Sequence, residues 1–365
     1  MPHNAQRVPC PFVPGGMIAD QKHHTSQIFV GRQSELETLL ACMTRNPPTS
    51  VNVHGPQRIG KSSLAGQFCS IWSKHFSDQD KNNYAVAFLN LLKCVTVTDF
   101  YREIAKVLLD LPEVHARPGL AAPLQNVQDY DSFEAALVAW KKQQVRPVLC
   151  LDEFNHLGDI PSEFTNNFFK NLRLLVDGGL VMLVMVTRKP LGRIQKSLKL
   201  SFHFFNLGQH IELRKFTNDE VRELLTLPCL NAKAGSAPCL TKAEQDIARK
   251  WAGNHPFALA LAASFLCQYR HTEGAQEARH KFNYEINNNI SLGWWWRICN
   301  LPISGEAPDM LNNLAMFIFN IGNQASNIGK TIFGLGVIIV ILLILIGIIP
   351  AREFYVEFIK PIFVK

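Results

Sequence analysis

The stretch Ser50 to Ser63, SVNVHGPQRIGKSS, leaves few folds open to this chain. Val51 and Val53 read as a short apolar strand. Gly55-Pro-Gln-Arg-Ile-Gly60-Lys61-Ser62 follows, and a helix runs from there through about Phe76. A G-x-x-x-x-G-K-[ST] run between a strand and a helix is the arrangement that cradles phosphate. Gly55 and Gly60 let the backbone turn until successive N–H groups face one anion, and the helix adds its positive N-terminal end. The loop Gly55, Pro56, Gln57, Arg58, Ile59 and Gly60, with Lys61, Ser62 and Ser63, is therefore the candidate phosphate cradle. Lys61 would reach the β- and γ-phosphates, and the Ser62 hydroxyl would ligate Mg²⁺. A glycine turn before an ordinary amphipathic helix carries the same letters, so the loop needs partners elsewhere in the chain.

Those partners lie on a series of apolar runs. Tyr84 to Leu91, Pro147 to Phe154 and Leu180 to Val186 read as buried strands, and Phe202 to Leu213 holds one or two more. Helical spacings separate them: Asp99 to Leu109, a helix opened by a capping box Asp131-x-x-Glu134, and Ser162 to Val176. Between the first two of these helices, Pro112 to Val127 reads as irregular. Near-continuous apolar strands alternating with helices imply an α/β fold whose parallel sheet is sandwiched by helices. Ligands of such sheets sit outside the carboxyl ends of the strands. Gly55, Asp152, Glu153 and Arg188 all fall at such ends. Asp152 is assigned to the metal and Glu153 to the attacking water, because an acid can hold Mg²⁺ while its neighbour takes a proton. Thr187-Arg188 would set a cation beside the γ-phosphate; a surface arginine after a strand is the plainer reading. Arg58 faces solvent or a neighbouring subunit, a choice the sequence leaves open.

Downstream, Thr217-x-x-Glu220 is a capping box with a Phe216–Val221 staple, and Thr241-x-x-Glu244 opens another helix. That helix stops at Gly253, and Pro256 starts the next at its first position. The expected organisation is an arm (1–26), an ATPase domain (27–213), a small helical lid domain (214–270), a linker (271–330), a transmembrane helix (331–351) and a tail (352–365). Residues 271–310 are polar and weakly patterned apart from Trp294-Trp295-Trp296.

Composition narrows the partners. The net charge of +7 is mild and its basic residues are scattered, with no basic stripe interleaved with aromatics, so nucleic acid is not the leading partner. Nine cysteines show no CxxC pair, which points to a reducing compartment without a disulfide framework or zinc site. His23-His24 reads as a solvated pair. Gly329-Lys330-Thr331 imitates a second phosphate loop, but Gln324 stands where its first glycine belongs. The N-terminus lacks the apolar core of a secretory signal.

FVGRQSEL, GPQRIGKSS, VLCLDEF, VTR and GNHPFALAL stand in the order and spacing of the STAND ATPases, and residues 11 to 268 resemble that group, the switches related to NACHT and NB-ARC proteins. The resemblance implies an ATP or ADP site in which Arg32 and the strand before it flank the base, Pro256 closes over the adenine and Arg188 senses the γ-phosphate. It also implies a slow switch, closed with ADP and homo-oligomeric with ATP, answering a protein trigger encoded elsewhere. Such proteins usually carry a repeat array as sensor and an effector before the ATPase; neither is visible in this sequence.

Ile332 to Pro350, IFGLGVIIVILLILIGIIP, is uncharged and almost wholly aliphatic, long enough to cross about 30 Å of hydrocarbon. The expectation is a single-pass membrane protein with membrane lipid as a partner and a cytoplasmic ATPase domain. Arg352, Lys360 and Lys365 beyond the span favour a cytoplasmic C-terminus, in tension with a cytoplasmic ATPase unless Met310 to Ile328 enters the bilayer as a second arm. The leading reading is a membrane-attached ATPase switch in signalling or defence. The alternatives are an ATP-binding membrane scaffold with little hydrolysis and a DNA-loading ATPase of the AAA-plus type.

Overall fold

The protein is described by a computed structural model over residues 10–14, 29–192, 208–230, 232–233, 235–270 and 274–289. The apolar segment 332–350 and the second bilayer arm, 310–328, lie outside these residues. Among the described residues no helix is long and apolar enough to cross a membrane.

Five parallel strands make one sheet: β1 (Val51–His54), β2 (Tyr84–Asn90), β3 (Arg146–Asp152), β4 (Met182–Thr187) and β5 (Gln209–Glu212), in the order β2-β3-β4-β1-β5. β1 therefore lies inside the sheet, Val51 opposite Val184 on one side and Gln209 on the other. The two-residue period of the strands distributes their side chains between two cores. Val148, Cys150, Met182, Val184 and Val186 pack on one face against α1 (Gln33–Thr44) and α2 (Lys61–Ile71). Leu149, Leu151, Leu183 and Met185 pack on the other. That second face is covered by α4 (Val97–Leu109), α5 (Pro112–His115), α6 (Pro118–Leu124), α7 (Tyr130–Lys142) and α8 (Asn166–Asp177), after the single-turn α3 (Asp78–Lys81). Both faces of the sheet are thus covered at β3 and β4, which is why those strands read as near-continuous apolar runs, whereas the edge strand β5 buries only Ile211.

Three local expectations are corrected. Pro112 to Val127 is not irregular: Pro112 and Pro118 each occupy a first helical position, where a missing N–H costs nothing, and start α5 and α6. The cap of α7 is Asp129, paired reciprocally with Ser132, rather than Asp131 with Glu134; Glu134 instead accepts the Tyr130 hydroxyl at 3.0 Å. Phe29 and Val30 are not a strand.

After β5 the chain is helical: α9 (Asn218–Leu225), α10 (Lys242–Ala252), α11 (Pro256–Tyr269) and α12 (Gly274–Asn289). The capping boxes at Thr217/Glu220 and Thr241/Glu244 are both formed, each contributing about 1 kcal/mol. α12 falls where the sequence shows little pattern. Ala278 and Phe282, four residues apart, are buried, and the Phe282 ring lies 5.8 Å from that of Trp251. Contacts group Met1–Tyr284 as one compact unit.

Candidate nucleotide site

The carboxyl ends of β1, β3 and β4 open into a cavity of about 640 Å³. The phosphate loop leaves β1 at Gly55, and two glycines there are required for different reasons. At Gly55 a Cβ would stand 2.6 Å from the Leu213 carbonyl oxygen, because β5 runs directly alongside. Gly60 has a φ of +98 and nothing within 4 Å of a Cβ, so its requirement is backbone conformation alone. Ile59, between them, is buried in the core under α2. Gln57, Arg58, Ile59, Gly60, Lys61, Ser62 and Ser63 line the cavity. The Lys61 ammonium donates to the Pro56 carbonyl at 2.9 Å, folded onto its own loop.

Asp152 and Glu153 leave the end of β3 in different directions. Asp152 is 5 % exposed; its carboxylate accepts the Glu153 N–H at 3.0 Å and the Ser62 hydroxyl. Burial pushes Asp152 above the usual carboxylate range, while those bonds and Lys61 pull it back. Burial likewise pulls the Lys61 ammonium down, and Glu153 and Asp152 oppose that. Glu153 sits at φ 52, a left-handed conformation that turns its side chain out of the strand direction. Its Oε2 lies 3.4 Å from Nη2 of Arg188. Arg188 follows β4, whose end is fixed by a buried side chain of β1. Asn52 donates to the Thr187 hydroxyl at 2.8 Å and to the Met185 carbonyl at 3.0 Å, and accepts the Leu191 N–H at 3.3 Å.

The other end of the cavity is apolar. Val13 and Pro14 of the arm, Phe29 and Val30, Phe216, and Pro256 with Phe257 at the start of α11 form its walls. Arg32 also lines it, but the guanidinium is committed elsewhere: it donates to the Arg214 carbonyl, pairs with Glu35 at 3.1 Å and lies over the Phe216 ring at 5.0 Å. The Arg58 guanidinium, part-exposed, lies over the Phe257 ring of its own chain at 4.8 Å. Of the four non-glycine residues with positive φ among the described residues, Arg32, Arg58 and Glu153 line this cavity. Backbone strain of this kind concentrates at functional sites.

All the residues singled out in the sequence therefore border one cavity, except Gly55 and Pro56, which form the back of the loop. Sequence reasoning missed Asn52, because a polar residue inside an apolar strand carries no local signal of its partner. It also missed Phe257 and His255. His255 is 7 % exposed and meets the Gln57 backbone; burial, with Lys215 nearby, pulls it down to about 4.

A Walker-type loop after β1, an acid pair at the end of β3 with β4 between the two strands, and an apolar pocket on one parallel sheet define a P-loop NTPase. A family model described as Novel STAND NTPase 1 matches residues 18–282, and the chain belongs to that family. Among solved structures, the Aeropyrum pernix ORC2 protein in its ADPNP-ADP complexes is similar, at 13 % identity over 74 % of this chain and 73 % of that one, with a TM-score of 0.53. The Walker-type ATPase of Pyrococcus abyssi is similar at 13 % identity over 71 % and 73 %, also with a TM-score of 0.53. These likenesses are of fold. No curated protein matches.

Proposed function

We propose that the protein is an ATP-driven switch that binds ATP with Mg²⁺, hydrolyses it slowly and is held at a membrane by residues 332–350. The observation that carries this reading is the convergence of the phosphate loop, Asp152, Glu153 and Arg188 on one cavity with an apolar far end. The triphosphate lies along the loop, and the base enters the apolar end between Val13-Pro14 and Pro256. Mg²⁺ fits the donor set, since the Ser62 hydroxyl and Asp152 carboxylate already touch and are hard oxygen ligands. The ion supplies charge neutralisation on the phosphates. Lys61 binds the phosphates, Glu153 orients the attacking water and accepts its proton, and Arg188 meets the γ-phosphate. In this reading ADP keeps the protein closed, and ATP assembles it into a homo-oligomer that signals, in defence or stress, with the C-terminal span as anchor or effector. The test compares the mass of purified protein in ATP with Mg²⁺ and in ADP by light scattering. A larger species with ATP is expected; equal masses end the switch reading. Membrane attachment is tested by fractionation against a chain ending at Lys330.

The ion pair between Arg188 and Glu153 favours a second reading, an ATP-binding scaffold with little turnover, because Arg188 occupies a carboxylate oxygen that a water-orienting Glu153 would need. Glu153→Gln separates the two: it abolishes turnover in a switch and changes little in a scaffold.

A further inference from the structure

Four cysteines far apart in sequence form one sulfur cluster. Cys229 and Cys239 are the arms of a short hairpin, in which Pro228 and Pro238 form an antiparallel bridge and the Cys239 N–H donates to the Leu227 carbonyl at 2.8 Å. Their sulfurs are 2.8 Å apart. Cys239 is in turn 3.7 Å from Cys267 on α11, and Cys267 meets Cys10 of the arm. Arg270 fixes the backbone by donating to the Cys239 carbonyl at 2.7 Å while paired with Glu244 at 2.6 Å. Access is graded: Cys229 is half-buried and its neighbour Leu230 exposed, whereas Cys239 and Cys267 are buried. Among the described residues no such group has an arrangement that would hold a metal ion.

We propose that Cys229 and Cys239 are a reversible thiol–disulfide pair that closes the hairpin when a low-molecular-weight disulfide is available. The accessible Cys229 thiolate attacks the external disulfide RSSR, whose S–S bond breaks; a Cys229–SR mixed disulfide forms and one RS⁻ leaves. Cys239 then attacks the Cys229 sulfur, the protein disulfide forms and the second RS⁻ departs. The two cysteine protons end on the two released thiols, so the external disulfide is reduced by two electrons and the hairpin oxidised by two. An external thiol reverses the sequence: one RS⁻ attacks the Cys229 sulfur and frees Cys239, and a second attacks the RS sulfur of the mixed disulfide, frees Cys229 and regenerates RSSR, the two thiol protons ending on the two cysteines. Cys267, 3.7 Å from Cys239, packs against the pair without entering the exchange.

The position gives the pair a consequence. Cys10 stands three residues before Val13, and Cys267 lies in the last turn of the helix that begins at Pro256; Val13 and Pro256 both line the nucleotide cavity. The cluster is where those two cavity walls are tied together. Closing the hairpin fixes a knot that both walls share.

The full chain, purified reduced, is equilibrated in glutathione buffers from reducing to oxidising, trapped with an alkylating agent and mapped by mass spectrometry. Peptides bearing Cys229 and Cys239 are expected to become joined as the buffer is made oxidising, and to separate in dithiothreitol. Lys233 lies in the exposed loop between them, so a tryptic nick there leaves two fragments that part only on reduction. Cys229→Ser abolishes the linkage, and Cys69→Ser preserves it. The proposal is overturned if both residues alkylate as free thiols at the most oxidising ratio or if the wild-type linkage joins other cysteines. Stoichiometric zinc that must be chelated before the thiols react overturns it as well.

Discussion

The carboxylate of Glu220 accepts the backbone N–H of Arg32 at 2.8 Å, although 188 residues separate them, and also caps α9 through the Thr217 N–H at 2.7 Å. One side chain thus joins the entry to α1, on the sheet, to the entry of the helical segment behind it. Gly31 is obligatory beside it: a Cβ there would stand 2.5 Å from the carboxylate. Burial raises Glu220, but the Thr217 and Arg32 N–H groups outweigh it and hold the group below the usual range.

Replacing Glu220 by Ala should therefore do more than remove a cap. Two backbone donors lose their acceptor, and the expected loss is about 2–3 kcal/mol in chemical denaturation. Glu220→Gln keeps one acceptor oxygen and should cost less. The wild-type contribution fades as pH falls through the depressed carboxylate range, so the gap between wild type and Glu220→Ala should narrow in acid.

At the phosphate loop, Lys61→Ala should weaken ATP binding about 10- to 100-fold, the worth of a charge-assisted contact. Glu153→Gln should leave affinity nearly intact and lower turnover by about 10²–10⁴-fold, as expected when a general base is removed. Calorimetry and a phosphate-release assay read the two separately. Loss of affinity in Glu153→Gln would mean that its ion pair with Arg188 organises the site rather than the water.

The two loop glycines should fail differently. Gly55→Ala places a methyl against the Leu213 carbonyl and should lower the melting temperature by pushing β5 from β1. Gly60→Ala meets no atom, so its cost is limited to about 1–2 kcal/mol of left-handed backbone, and the defect should appear chiefly in nucleotide affinity.

His255 supplies a pH signature. Its folded value of about 4 lies below the ordinary 6.5, so the unfolded chain binds the extra proton between those values. Stability from this group is complete above pH 6.5 and is lost as pH falls toward 4, by roughly 3 kcal/mol at most. His255→Asn should flatten that part of the profile relative to wild type in urea titrations from pH 7 to pH 4.5.

The parts legible in the sequence are those whose cause is local. The Ser50–Ser63 run, the apolar strands and the boxes at Thr217 and Thr241 each carry their explanation within a dozen residues. The paired acids became interpretable because a parallel sheet sends all strand ends to one rim. What stayed hidden depends on partners far along the chain. Asn52 looks misplaced in a strand until Thr187 and Leu191 arrive to satisfy it, and the separate cysteines give no hint that Cys10, Cys229, Cys239 and Cys267 meet. The cap at Asp129 was missed for a smaller reason, since serine at the third position can return the bond as glutamate does.

The rim of the cavity is also where the chain is least comfortable with its own backbone. Arg32, Arg58 and Glu153 hold a conformation that any of them would leave gladly and that glycine adopts freely. Selection for heat resistance alone would rewrite these positions early, and variants hardened in that way should be the ones that have stopped responding to nucleotide.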